Sequence, residues 1–222
     1  MEFLLHFLAM TAEKRLAYLI YLRNALLLIS KVNYSNWQEI QDDFEHYMTS
    51  LGPWTTDEII AFFEGEYGEE SSWMFTKNQI RKFIASEVHI LPPSGMNLGE
   101  LKSKSATALW FNEHIDKRNL EGLSSLMTEN HTFIDSSNDA FVGKERMTQG
   151  WQDFFTKYPD YRNIFERVEI RNDIVVMIGY STCSYAPLDG PALWSAKIRD
   201  DKVVEWRVFH DTKENRNRLG VE

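Results

Sequence analysis

The sequence predicts an α+β protein in two parts: a small all-helical domain over residues 1–90, then a mixed domain of helices and an antiparallel meander over residues 101–222. Three observations carry this. Before residue 90, helix-start signals of the capping-box type recur, Ser35 with Gln38, Thr55 with Glu58 and Thr76 with Gln79. Leu91-Pro92-Pro93-Ser94-Gly95 cannot continue a helix and marks the boundary. After residue 160, strand-like runs are joined by the turn-forming pairs Asn172-Asp173 and Asp200-Asp201.

The apolar run Phe3–Met10 opens with Glu2, contains His6 and lacks a basic leader or a small-residue cleavage site, which argues against secretion. Its extension to Ile29 is interrupted by Glu13, Lys14, Arg15, Arg23 and Asn24, so it reads as an amphipathic helix and not as a membrane span. A second helix runs from Ser35 towards Gly52-Pro53. A third covers 56–64 with Ile59, Ile60, Phe62 and Phe63, and enters the acidic loop Glu64–Glu70. A fourth places Ile80, Phe83 and Ile84 on one face and ends near Glu87. The acidic loop lacks the central glycine and closing glutamate of an EF-hand. Residues 1–100 hold 7 basic against 14 acidic side chains, and the whole chain has a formal charge of -9, so nucleic acid is not an expected partner.

The second half opens with a helix over 101–119 that places Leu109, Trp110, His114 and Ile115 on one broad apolar face, followed by a short helix over 120–127. His131, Phe133 and Asp135 alternate along a β-prone run, so a strand turns all three to one face. Met147 to Tyr158 carries Trp151, Phe154, Phe155 and Tyr158 at helical spacing before Pro159. Two hairpins follow, 163–171 with 174–185 and 192–199 with 203–211. Ile174 to Ile178 is apolar throughout, which predicts cover on both sheet faces and gives a reason to expect a homodimer. Cys183, the one cysteine, lies in the apolar strand and reads as a buried structural thiol; a cytoplasmic, reducing location is compatible with it.

There is no phosphate-cradling glycine loop, nucleophile elbow or zinc-protease helix, and the six histidines are scattered, so neither a cofactor nor a metal is expected. The long helix, H-x-F-x-D at His131–Asp135, W-x-x-F-F-x-x-Y-P-D-Y-R from Trp151, and Asp211 eight residues before Leu219-Gly220 together resemble the SnoaL-like branch of the NTF2-like superfamily over about 104–222. Residues 1–90 carry no such resemblance. It implies a cone-shaped barrel of helices on a bent sheet, dimerisation through the outer sheet face, and acid-base chemistry on a hydrophobic, polycyclic small molecule. Asp211 then matches the acid-base residue of SnoaL-like cyclases, with His131 as companion, and Asp135 matches the base of the ketosteroid isomerases.

The isomerase oxyanion hole is missing, since Phe111 and Ser195 stand at its positions. An Asp-Arg-Asp set of the epoxide-hydrolase kind needs Arg207 to point inward. Trp110, Trp151, Phe155, Tyr158, Trp194 and Trp206 are the candidate ligand-binding walls, and each also suits a core. Asp135 equally suits a turn cap. The alternative to a cyclase, isomerase or hydrolase is a non-catalytic module that binds a ligand or dimerises, with the helical unit engaging a protein partner.

Overall fold

The computed structural model describes residues 15–221, which divide into two compact units. In the first half the elements are β1 (Ala17–Leu22), β2 (Leu26–Ser30), α1 (Trp37–Asp43), β3 (Tyr47–Trp54), α2 (Thr56–Tyr67), α3 (Lys77–Ala85) and β4 (Ile90–Leu91). The second half contains α4 (Lys104–Asp116), α5 (Leu120–Ser125), β5 (Met127–Ile134), β6 (Ala140–Val142) and α6 (Lys144–Lys157). It closes with β7 (Arg162–Arg171), β8 (Ile174–Thr182), β9 (Gly190–Arg199), β10 (Lys202–His210) and α7 (Lys213–Leu219).

The first unit joins the described residues up to Lys31 with Met48–Ser94 and is not all-helical. It contains a four-stranded sheet in the order β3-β1-β2-β4. The described part of the stretch expected as an amphipathic helix to Ile29 is the β1–β2 hairpin, turning at Asn24 and Ala25 with φ of 67° and 57°. Ala17, Leu19, Leu27 and Ile29 join Ile59, Phe63, Ile80 and Phe83 of α2 and α3 in one core, while Ile20 and Leu28 are buried at the alternate positions. A run apolar at every position has no period by which helix and strand can be told apart. The Phe3–Met10 part of the expected helix lies outside the described residues. Helices α2 and α3 begin at complete capping boxes, Thr55 with Glu58 and Thr76 with Gln79. The helix expected from Ser35 to Gly52 is only α1, capped by Asn36; His46 takes φ 65° and the chain leaves as β3.

The second unit joins Val32–Tyr47 to the residues from Gly95 onward, so segment 32–47 separates from the expected 1–90 domain. Its six-stranded sheet has the order β6-β5-β10-β9-β8-β7, with β10 parallel to β5 and the other pairs antiparallel. Both expected hairpins form, with positive φ at Asn172 and Asp173 and at Asp200 and Asp201. Cross-strand pairs Met177–Trp194 and Ala196–Trp206 face one side, on which Phe111 of α4 meets Trp206 with ring centroids 4.9 Å apart. On the opposite face Val176, Ile178, Leu193 and Phe209 pack under Leu219 of α7 and Val221. The apolar run of β8 is therefore covered by its own chain, which removes the reason for expecting a homodimer through that face.

Segment 32–47 is held by specific polar contacts. Asn33 N–H donates to the Val168 carbonyl at 2.9 Å. Arg171 reaches Ser35 Oγ at 3.0 Å and also pairs with Glu169, a fully buried carboxylate. Asp43 accepts from Tyr34 Oη at 2.7 Å and from the Ser105 amide at 2.9 Å in the first turn of α4. That carboxylate satisfies a helix-end donor, and burial pushes its pKa up.

Candidate functional site

His131 lies on β5 with no exposed surface. Its Nδ1 is 2.8 Å from the Val203 carbonyl, and because a carbonyl only accepts, Nδ1 carries the hydrogen and Nε2 keeps a lone pair. Burial lowers the imidazole pKa, so the ring is neutral. It packs 5.7 Å from the Phe111 ring. Phe133, two residues on, meets Trp151 of α6 at 5.6 Å, and Trp151 meets Phe155 at 5.5 Å. Trp194 packs on Phe165 at 5.1 Å. His131, Phe111, Trp151, Phe155, Trp194 and Trp206, on α4, α6 and the inner sheet face, are all at most 8% exposed.

The two nominated carboxylates are engaged elsewhere. Strand β5 ends at Ile134, and Asp135 Oδ1 accepts from the amides of Ser137 at 2.8 Å and Asp139 at 3.0 Å, which makes it the organiser of a turn. Asp211 follows β10 and holds Arg216 of α7 through two bonds, Nε to Oδ1 at 2.6 Å and a terminal nitrogen to Oδ2 at 2.7 Å. The fork geometry occupies both oxygens. The structure therefore does not bring His131, Asp135 and Asp211 into one acid-base group. Arg207 belongs to the outer face, where its guanidinium lies 4.7 Å from the Phe209 ring and bonds Asn138, so no Asp-Arg-Asp set forms inside.

Two expected walls also lie elsewhere. Trp110 packs edge-on to His114 at 4.7 Å with Lys117 5.9 Å from its ring, and Tyr158 stacks on the exposed Tyr185 at 5.3 Å. Both rings cover polar neighbours on half-exposed helix faces. Cys183 follows β8 and is half-buried, its thiol 3.6 Å from Asp160, so it is not a core thiol. Among the described residues, no group of three or more His, Cys, Asp or Glu side chains is arranged to hold a metal ion. Nor is any described helix long and apolar enough to cross a membrane.

A polar group that the sequence reading missed links α4 to β7. Asn112 Nδ2 donates to Asp116 Oδ2 at 3.1 Å, Asn163 Nδ2 donates to Asn112 Oδ1 at 2.8 Å, and the Asn163 amide donates to Asp116 Oδ1 at 3.1 Å. Burial raises the Asp116 pKa, and the Asn163 amide is the first of the contacts opposing that rise. Tyr161, 8% exposed, has its phenol pushed up to about 12 by burial. The signal was the four-residue spacing of Asn112 and Asp116 on one helix face. A separate open groove of about 430 Å³ runs over Asp43, Lys102, Arg199 and Asp201, where Lys102 pairs with Asp201.

Residues 109–206 match the family model described as the SnoaL-like domain. The matched residues lie within the second unit. A search of curated proteins finds no match. Among solved structures, a candidate SnoaL-like polyketide cyclase from Shewanella putrefaciens is similar at 18% identity and a TM-score of 0.45, over 56% of this chain and 90% of the other. One from Shewanella denitrificans is similar at 15% identity and 0.44, over 53% and 96%. An NTF2-like protein of unknown function from Cytophaga hutchinsonii follows at 14% identity and 0.42, over 51% and 94%.

Proposed function

We propose that the SnoaL-like domain is a non-catalytic module that binds a small, mostly apolar molecule between α4, α6 and the inner sheet face. One observation carries the reading. On these elements, His131 Nε2, Trp151 Nε1 and Asn163 Oδ1 are buried without a hydrogen-bond partner. An apolar wall with a few convergent, unsatisfied polar atoms is the chemistry of a ligand site, because a buried polar atom costs stability until something meets it. The acid-base reading has less support, since Asp135 and Asp211 each spend their oxygens on local structure.

A thermal-shift screen of the full chain against hydrophobic small molecules tests this. Ligands that raise the melting temperature are expected, and Asp135→Asn and Asp211→Asn are expected to bind them as the unaltered chain does. Chemical turnover of such a ligand, lost in either variant by the 10²-fold or more typical of a missing acid-base group, would replace this reading with the enzyme reading.

A further inference from the structure

The first unit carries a row of aromatic rings at its surface. Tyr21 lies on β1, Trp54 ends β3, and Phe62 and Tyr67 lie on α2. The row is continuous: Trp54 meets Phe62 at 5.4 Å, Phe62 meets Tyr67 at 6.4 Å, and Tyr67 is hydrogen-bonded to Tyr21. Tyr21, Trp54 and Phe62 pack on the core of this unit while staying half-buried, and Tyr67 is 40% exposed.

The charge beside these rings has one sign. Residues 57–70 hold six carboxylates and no Lys or Arg. Glu58 closes the capping box of Thr55, and Glu64 and Glu70 bond Lys77. Asp57, Glu66 and Glu69 are left, and among the described residues none of them pairs with a basic side chain. Glu66 is the one at the rings. The Tyr21 pKa is pushed up by burial first, then by the Tyr67 bond, then by the Glu66 charge.

The same unit shows what a ring with a carboxylate at its side can hold. Lys77 Nζ lies 5.3 Å from the Trp73 ring and 2.6 Å from Glu64 Oε1, so one ammonium meets both a negative ring face and a charge. Phe63 joins this arrangement to the row, 5.4 Å from Trp73 and 5.4 Å from Tyr67. At Tyr67 and Glu66, no described basic side chain plays the part of Lys77. We infer that this surface docks an extended basic segment of a partner protein, with an Arg or Lys over Tyr67 and against Glu66, and proline or apolar residues along Phe62 and Trp54. A row of several rings suits an extended chain, whose side chains reach successive rings at low entropic cost when proline stiffens it. Charge argues against a second copy as occupant, since a copy would bring the same carboxylates against these.

Fluorescence anisotropy with the full chain tests this, using labelled peptides of equal length with alternating Pro-Arg, Pro-Glu and Pro-Ser. Only the Pro-Arg peptide is expected to bind. The chain is acidic as a whole, so diffuse attraction is separated from a site by two variants that change the charge equally. Glu66→Gln is expected to weaken binding about threefold, and Glu121→Gln, exposed in the first turn of α5, to leave it unchanged. Tyr67→Ser is expected to weaken it about threefold as well. Equal losses in the two glutamate variants, no loss in a folded Tyr67→Ser variant, or no binding of the Pro-Arg peptide would each overturn the docking site. Self-association of the full chain that Tyr67→Ser abolishes would also overturn it, with a second copy as the occupant. If Tyr67→Ser does not fold, the two glutamate variants decide the question alone.

Discussion

Asp211 shows how a residue selected for chemistry can be explained by architecture. Both its oxygens hold Arg216, which ties the end of β10 to α7. Asp211→Asn removes the charge and one oxygen, and is expected to cost about 1–3 kcal/mol in denaturant unfolding, as a lost charged hydrogen bond does. Unchanged stability would mean that the fork contributes nothing. Gly179 makes a sharper test. A Cβ built there would lie 1.9 Å from the Ile164 carbonyl, where the β7–β8 register shifts between Phe165 and Arg167. The obstacle is backbone and cannot swing away, so Gly179→Ala is expected to destabilise by about 3 kcal/mol. Gly150→Ala, whose Cβ meets only Met147 Cε at 3.8 Å, is the control expected to be tolerated. Alternation was enough to place His131 and Phe133 on one face. It was not enough for Asp135, because nothing in H-x-F-x-D says that the strand stops one residue earlier.

At the scale of elements, legibility followed local chemistry. The capping boxes at Thr55 and Thr76, the aromatic helix α6 and both hairpin turns are written in adjacent residues, and each element formed there. The β1–β2 hairpin was hidden because Leu and Ala suit helices and the turn at Arg23–Ala25 lacks glycine and proline. The role of α7 was hidden for another reason: Leu219 and Val221 are two apolar residues in a charged tail, and only the fold shows that they cover Val176, Ile178, Leu193 and Phe209. Leu219→Ala is accordingly expected to cost about 2–5 kcal/mol. Deleting residues 213–222 should uncover the same face and produce concentration-dependent association in light scattering, relative to the full chain. A deletion variant that scatters as the full chain does would show that this face needs no cover.

For the whole molecule, acidification and division of the chain give the two widest tests. His131 is neutral in the fold with its pKa lowered from 6.5, so below about pH 6.5 the unfolded chain binds a proton that the folded chain refuses. Its contribution to stability is complete above pH 6.5 and is lost as pH falls towards the depressed value. Asp43 and Asp116 act in the opposite sense, because carboxyls with raised pKa favour the fold increasingly as they protonate. His131→Asn can still donate to the Val203 carbonyl but does not titrate. The difference between the unaltered chain and this variant in unfolding free energy, measured from pH 7.5 to 5, should therefore shift against the unaltered chain on acidification. A difference independent of pH would mean that His131 protonates as freely in the fold as in water.

The division of the chain tests what composition could not reveal. A boundary near Pro93–Gly95 is legible because prolines and glycine interrupt an apolar pattern, but the sequence offers no such break at Lys31 or Tyr47. The physical ties of segment 32–47 are instead long-range. Asn33 extends the edge at β7, Tyr34 and Asp43 form a buried pair, and Asp43 satisfies the Ser105 amide of α4. Removing the segment leaves that helix-end donor without its carboxylate and strips cover from the buried Glu169. A fragment of residues 95–222 is thus expected to unfold at lower denaturant than the same residues do within the full chain, followed through Trp194 and Trp206 fluorescence in chains whose other tryptophans are replaced by Phe. The loss should exceed that from Asp43→Ala alone, since Asn33 and Arg171 contribute separate contacts. A fragment as stable as the parent would show that segment 32–47 rests on the domain without supporting it.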